Sequence, residues 1–193
     1  EFRRVLFRSL EQIISELMGE RLGRYINAQL TTGVGTTAPS GVVTGAYAGV
    51  TAAAQAAVTP DELLSLLHSV DPSYRDAAYN CGWMFKDATL LALKQVKDGQ
   101  GRYLFPELRL PEPRHEGFPV FINQQMATIA HSAVPILFGA FRKYKVRIVN
   151  GIRVRRLVER YADLDQEAFV GYIRFDGGIH DAGTHPIKKL TMA

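Results

Sequence analysis

The chain has 193 residues, 47% hydrophobic and 22% charged, with a formal net charge of +4. That length allows one domain or two small ones with a core of their own. The single cysteine, Cys81, excludes a disulfide framework and a multi-cysteine zinc site, so its expected role is that of a small buried apolar side chain.

Residues 1–9 read EFRRVLFRS, the translation in one frame of the tail of a common sequencing-library adapter. They read as an adapter artefact, and the fold is expected to begin at Leu10. Without them the chain holds 20 basic and 18 acidic residues, a net charge of +2.

From Leu10 to Leu30 the spacing predicts a helix of about 31 Å. Leu10, Ile13, Ile14, Leu17, Leu22, Ile26 and Leu30 fall on one face, with Tyr25 beside them. Gly33, Gly35, Pro39 and Gly41 then predict a turn-rich loop. Residues 31–60 carry no charge, and Gly41, Gly45 and Gly49 repeat every four residues. Rich in Gly, Ala and Thr and without Leu, Ile or Phe, this run reads as a crossing between lobes and not as a membrane span.

Thr59, Pro60 and Glu62 form the signature of a capped helix start. Leu63, Leu64, Leu66, Leu67 and Val70 make its apolar face, and Asp71-Pro72 ends it. Tyr79–Phe85 predicts a buried strand. Asp87 is placed as the cap of a helix from Ala88 to Lys97, with Leu90, Leu91, Leu93 and Val96 inward, stopped by Asp98-Gly99. Pro106–Pro113 predicts an exposed loop, and Gly117–Asn123 a strand with Pro119 at an edge or bulge.

Beyond Val134 the pattern is β. Lys143, Lys145 and Arg147 alternate with Tyr144, Val146 and Ile148, predicting a half-buried strand with a basic face. Asn150-Gly151 predicts a hairpin turn, Ile152–Arg160 the returning strand, Phe169–Phe175 a further strand, Asp176-Gly177-Gly178 a turn, and Ile187–Leu190 a last strand. The class is α+β, with a long helix and a β-meander bracketing an α/β insertion.

Chemistry-bearing motifs are sparse. The Gly33–Gly41 loop follows a helix and lacks the lysine of a phosphate-binding loop. His68, His115, His131, His180 and His185 form no zincin pattern; His180, Asp181 and His185 cluster, but such a turn is more often a set of hydrogen-bonded surface groups than a metal site. There is no Gly-x-Ser-x-Gly elbow. The reading is a non-enzyme without cofactor or metal. The most informative feature lies between Arg142 and Arg160, with eight basic residues and one acidic residue. A solvated strand face, a subunit interface and a phosphate-contacting nucleic-acid surface compete for it, in that order.

Several phrases in order resemble the major capsid proteins of tailed bacteriophages with the Hong Kong 97-type fold. They are Glu20-Arg21-Leu22-Gly23, Thr32–Gly35 with Pro39-Ser40-Gly41, Leu67–Arg75, Trp83–Thr89, Lys97–Leu104, Pro119–Asn123, Phe138–Tyr144 and Asp181–Pro186. The Pro111–Glu116 stretch departs from the family's usual text.

The resemblance implies a peripheral domain, built from a spine helix and β-hairpin over 10–40 and 141–180. It implies an α/β axial domain over 41–140 and 181–193. It further implies self-assembly into pentamers and hexamers of an icosahedral shell enclosing double-stranded DNA. The partners implied are neighbouring subunits, packaged DNA, and scaffold, protease and portal proteins, with no membrane. The place implied is the virion, assembled in the bacterial host cytoplasm. The family's amino-terminal arm and extended loop precede the spine helix, so no cross-linking residue is assigned here. Arg153, Arg155, Arg156 and Arg160 are the residues expected at inter-subunit contacts. The alternative is a nucleic-acid-binding module using the hairpin 142–160.

Overall fold

The computed structural model describes residues 2–157, 159–164, 167–181 and 183–193. Glu1, Val158 and Ala182 lie outside the described residues; with them go one residue of the adapter-like leader, one of the Ile152–Arg160 strand and one of the Asp181–Pro186 phrase. The side chain of Leu10, expected on the helix face, is likewise not described.

Helix α1 runs over Phe2–Thr32, longer than the spacing from Leu10 predicts, and its backbone continues through the adapter-like residues. Its packed row is narrower than the predicted face. Ile14, Met18, Leu22, Ile26 and Leu30 are half-buried at four-residue spacing, whereas Ile13, Leu17 and Tyr25 stay 45%, 56% and 57% exposed.

The body of the molecule is a six-stranded mixed sheet. Its strands are β1 (Tyr47–Thr51), β2 (Cys81–Phe85), β3 (Arg114–His115), β4 (Phe118–Ile122), β5 (Ile136–Ala140) and β8 (Ile187–Thr191), in the order β1-β8-β5-β2-β4-β3. β5 is buried along its whole length because it is flanked by β2 and β8 and covered on both faces. Alternate residues divide between two cores. Ile136 and Phe138 join Trp83, Phe85 and Leu190 on one face. Leu137 joins Val42, Ala46, Met126 and Ile187 on the other. Pro119, expected at an edge or bulge, lies in β4 between β2 and the two-residue edge strand β3, paired with Arg114 of β3 and one residue before the pairing with β2 begins at Val120.

Helix α3 (Pro60–Ser69) covers the first face with Leu63, Leu66 and Leu67, while Leu64 points outward. The capping box forms as the sequence predicts. Thr59 accepts from the Glu62 amide, and Glu62 accepts from the Thr59 amide at 2.8 Å and also from that of Ala53 at 2.7 Å. Helix α4 (Asp87–Gln95) adds Leu90 and Leu93, with Leu91 exposed. Its cap is Lys86 and not Asp87, which instead lies in the first turn, where its charge still suits the positive end of the helix. The Pro106–Pro113 loop is not simply exposed. A 3₁₀ turn over Pro106–Arg109 drives Leu108 into the core. β1 and the single-turn helix α2 (Val42–Gly45) escaped the sequence reading because they are only five and four residues long and sit in a glycine-interrupted run, too short for a period to show.

The remaining strands, β6 (Tyr144–Leu157) and β7 (Ala168–Ile179), form a separate antiparallel ribbon. The expected β-meander is therefore absent among the described residues: β5 and β8 belong to the body, and only β6 and β7 to the ribbon. Asn150-Gly151 is not the hairpin turn. Val149 pairs with Arg174 and Arg153 with Tyr172, so three residues of β6 face one of β7 in a bulge within one continuous strand. Both residues have positive φ (58° and 64°), the feature that type I′ turns and bulges share. Asp176-Gly177-Gly178 does not turn either; β7 runs straight through it.

Candidate assembly surface

Two glycines let α1 lie against β7. A Cβ at Gly171 would sit 2.8 Å from the Met18 methyl, and one at Gly177 would sit 2.8 Å from Leu30 and 2.6 Å from the Tyr144 hydroxyl. The long helix and the charged ribbon thus pack together although more than a hundred residues separate them in sequence. The Tyr144 hydroxyl donates to the Ser40 carbonyl at 2.8 Å, and the Ser40 amide donates to the Gly177 carbonyl at 3.1 Å. Burial, with the Asp176 charge adding to it, pushes the Tyr144 phenol up to about 12. Asn123, just beyond β4, joins helix and body by donating to Thr31 Oγ1 at 2.8 Å and accepting from Asn27 at 3.0 Å.

The expectation of a half-buried basic strand needs correction. β6 is exposed on both faces, with Val146, Ile148, Ile152 and Val154 45–54% exposed. α1 covers only the β7 side of one face, so the alternating pattern is present without the burial it normally signals. A two-stranded ribbon of this kind gains little stability alone in water.

The four predicted contact arginines are brought onto this ribbon and its turn, all exposed, but they do different things. Arg156 forks onto Glu167 at 2.8 and 2.5 Å across the hairpin, which holds the Glu167 carboxyl below its usual range. The Arg160 guanidinium lies 5.8 Å from the Tyr161 ring centre. Arg153 and Arg155 stand beside Tyr172 and Arg174 at the bulge and line a shallow groove there. Sequence reasoning missed Tyr172 and Arg174, because only the register places them beside the β6 arginines.

Other candidate groups have structural roles. Asp181 Oδ1 accepts from the amides of Gly183, Thr184 and His185, and its Oδ2 contacts His185 Nδ1 at 2.9 Å. These bonds outweigh the opposing effect of burial and lower the Asp181 pKa. The His180 amide donates to the Lys143 carbonyl at 2.8 Å. Glu107, His115 and Glu116 bring donor atoms within 4.8 Å of one another, a convergence with no spacing signal in the sequence. His115 is 4% exposed, contacts Glu107 through Nδ1 at 3.0 Å, and packs against Trp83 and Phe105 while its carbonyl accepts from Trp83 Nε1; its Nε2 is buried without a hydrogen-bond partner. Cys81 is buried, and burial raises its thiol to about 11. Among the described residues no helix is long and apolar enough to cross a membrane.

The model of the phage capsid family matches residues 7–192. The chain belongs to the phage capsid family. Among solved structures, this capsid-family chain is similar to the capsid of an empty GTA particle at 25% identity and TM-score 0.84, over 95% of this chain and 66% of that one. It matches the capsid of the native GTA particle at 25% identity and TM-score 0.83, with the same coverage. A chain of Gordonia phage Cozz shares the fold at 16% identity and TM-score 0.69, over 96% of this chain and 64% of that one. The capsid-family chain thus spans just under two thirds of the length of these three structures. No curated protein matches it. The α+β class expected from the residues, and the Hong Kong 97-type fold expected through the family resemblance, agree with the fold shared with these structures.

Proposed function

We propose that this chain is a structural subunit of a phage head, assembling with copies of itself into pentamers and hexamers of an icosahedral shell around double-stranded DNA. The supporting observation is the match of 95% of the chain to the capsid of GTA particles at TM-score 0.84. In this reading α1 and the ribbon (10–40 and 141–180) form a peripheral lobe. The sheet body (41–140 and 181–193) forms an axial lobe facing its copies. Arg153, Arg155, Arg156 and Arg160 lie at subunit contacts, and the many modest contacts of each copy act together through multivalency. The subunit is non-enzymatic and virion-located, assembled in the host cytoplasm with scaffold, protease and portal proteins as further partners.

The test is electron microscopy of the protein expressed from its full reading frame, over a concentration series. Rings of five or six and closed shells are expected. A protein that stays monomeric at every concentration and salt would overturn the reading.

A further inference from the structure

The register of the ribbon sorts its side chains by face. Directly opposed residues share a face, so Arg153 lies with Tyr172, Arg155 with Val170, and Val149 with Arg174. Gly171 and Gly177 face α1, which fixes the odd-numbered positions of β7 as inward. Tyr172 and Arg174 are therefore outward, and both are exposed. Arg153, Arg155 and Arg174 thus present three guanidiniums around Tyr172 on the side away from α1, where the Asn150-Gly151 bulge opens the groove. Of the nearby acids, Glu167 is taken by Arg156 and Asp176 lies opposite Arg147, farther along the ribbon. Planar guanidiniums so placed suit carboxylates, which they can grip through paired N–H donors.

We propose that this groove receives the acidic edge of α1 from a second copy of the chain, centred on Glu16 and Glu20. The proposal rests on the shell-subunit reading and names the contact. Charge supports the choice of occupant. Arg142–Ile179 holds nine basic and five acidic residues, whereas the rest of the chain from Leu10 holds 11 basic and 13 acidic. The molecule's own α1 lies on the opposite face of the ribbon, so its own glutamates do not serve the groove. Glu16 and Glu20 are exposed one turn apart, with Gln12 donating to Glu16 at 3.3 Å and Arg24 within 3.6 Å of Glu20, exposed pairs of the kind worth little and displaced by a tighter guanidinium grip; Gly19 lies between the two glutamates and Gly23 one turn beyond it. A Cβ at either glycine would meet nothing within 4 Å, so packing within the chain does not explain two residues that each cost a helix interior about 1 kcal/mol. Their absent side chains leave the helix surface flat beside the carboxylates, open to the approach of a strand face. Because one chain carries both halves, two copies can engage reciprocally about a two-fold axis or head-to-tail, and the head-to-tail arrangement closes into a ring or continues to the next copy.

The test is a charge swap in the full-length protein, read as the dissociation constant of self-association by sedimentation. Arg153→Glu with Arg155→Glu, and separately Glu16→Arg with Glu20→Arg, should each weaken association about tenfold or more, and the fourfold variant should return to within about threefold of the original. Unchanged thermal melting verifies the fold; if a reversal unfolds the chain, the Gln variants at the same positions take its place, with a smaller loss expected. Association unchanged in either double variant, or a fourfold variant no better than the doubles, overturns the proposal while leaving the shell reading intact. Short duplex DNA bound through Arg153 and Arg155, with association unaffected by their reversal, overturns it in favour of a nucleic-acid surface. An original protein that never associates overturns the shell reading itself.

Discussion

Tyr144 sits at the root of the ribbon with its hydroxyl on the Ser40 carbonyl and its ring against Gly177. The folded chain holds its proton more tightly than the unfolded chain, where a tyrosine titrates near 10.0, because burial and then Asp176 disfavour the phenolate. Its contribution to stability is therefore complete below pH 10.0 and is lost as the pH rises toward about 12. A spectrophotometric phenol titration compared with that of Tyr144→Phe should show one tyrosine ionising late. The substitution should also cost about 1 kcal/mol in denaturant melts, since the Ser40 carbonyl loses its donor. Cys81 follows the same logic. With its thiol raised to about 11 by burial, it should resist a disulfide reagent at pH 8 until the chain unfolds, and rapid labelling of the native protein would contradict the buried strand.

At the scale of elements, the contact between α1 and β7 depends on missing side chains. Gly177→Leu places bulk where Leu30 and Tyr144 already meet, so the helix should lift from the ribbon. Hydrogen exchange is expected to speed up in α1 and β7 while β5 stays protected; uniform loss of protection would mean that helix and sheet unfold as one unit. Local signals were legible where one short-range interaction decides the outcome. The Thr59–Glu62 box is an example, because its partners are three residues apart and nothing distant competes. Asn150-Gly151 misled for the opposite reason. The pair states that the backbone takes positive φ, but turn or bulge depends on where β7 places its partners, and that information lies twenty residues away. Asp176-Gly177-Gly178 misled similarly, since glycine serves close approach as readily as it serves turning, and the approaching Leu30 is about 150 residues upstream.

For the whole molecule, the pairing of the long helix with the remote charged strands was legible from the order of family-like phrases, and the central sheet from its apolar runs. The exposure of the ribbon was not. Alternation along Tyr144–Ile148 reports a face that can be covered, and does not say whether the cover belongs to the same chain. The candidate groove was half legible. Arg153 and Arg155 could be read from their alternation, whereas Tyr172 and Arg174 joined them only through the register. Within one chain β6 has too little cover to account for its fourteen residues of strand, so copies that associate should slow amide exchange there. Exchange in β6 as fast in the assembled particle as in the free subunit would show that the missing cover is not supplied by neighbours.

Helix α1 and the ribbon together are joined to the sheet body along three separate backbone paths, Gly33–Gly41 from the helix and Phe141–Lys143 and His180–Pro186 from the ribbon. Each is stitched: Ser40 to Gly177, Lys143 to His180, and Asp181 to the amides that follow it. A swivel needs one or two loops that absorb a change of dihedral angle. Three anchored paths side by side would all have to turn at once, which makes the joint a brace. A load applied at the ribbon tip is thereby carried into the sheet as displacement of the whole subunit, and the shape of anything built from such subunits is governed by how they are laid against one another more than by bending within each.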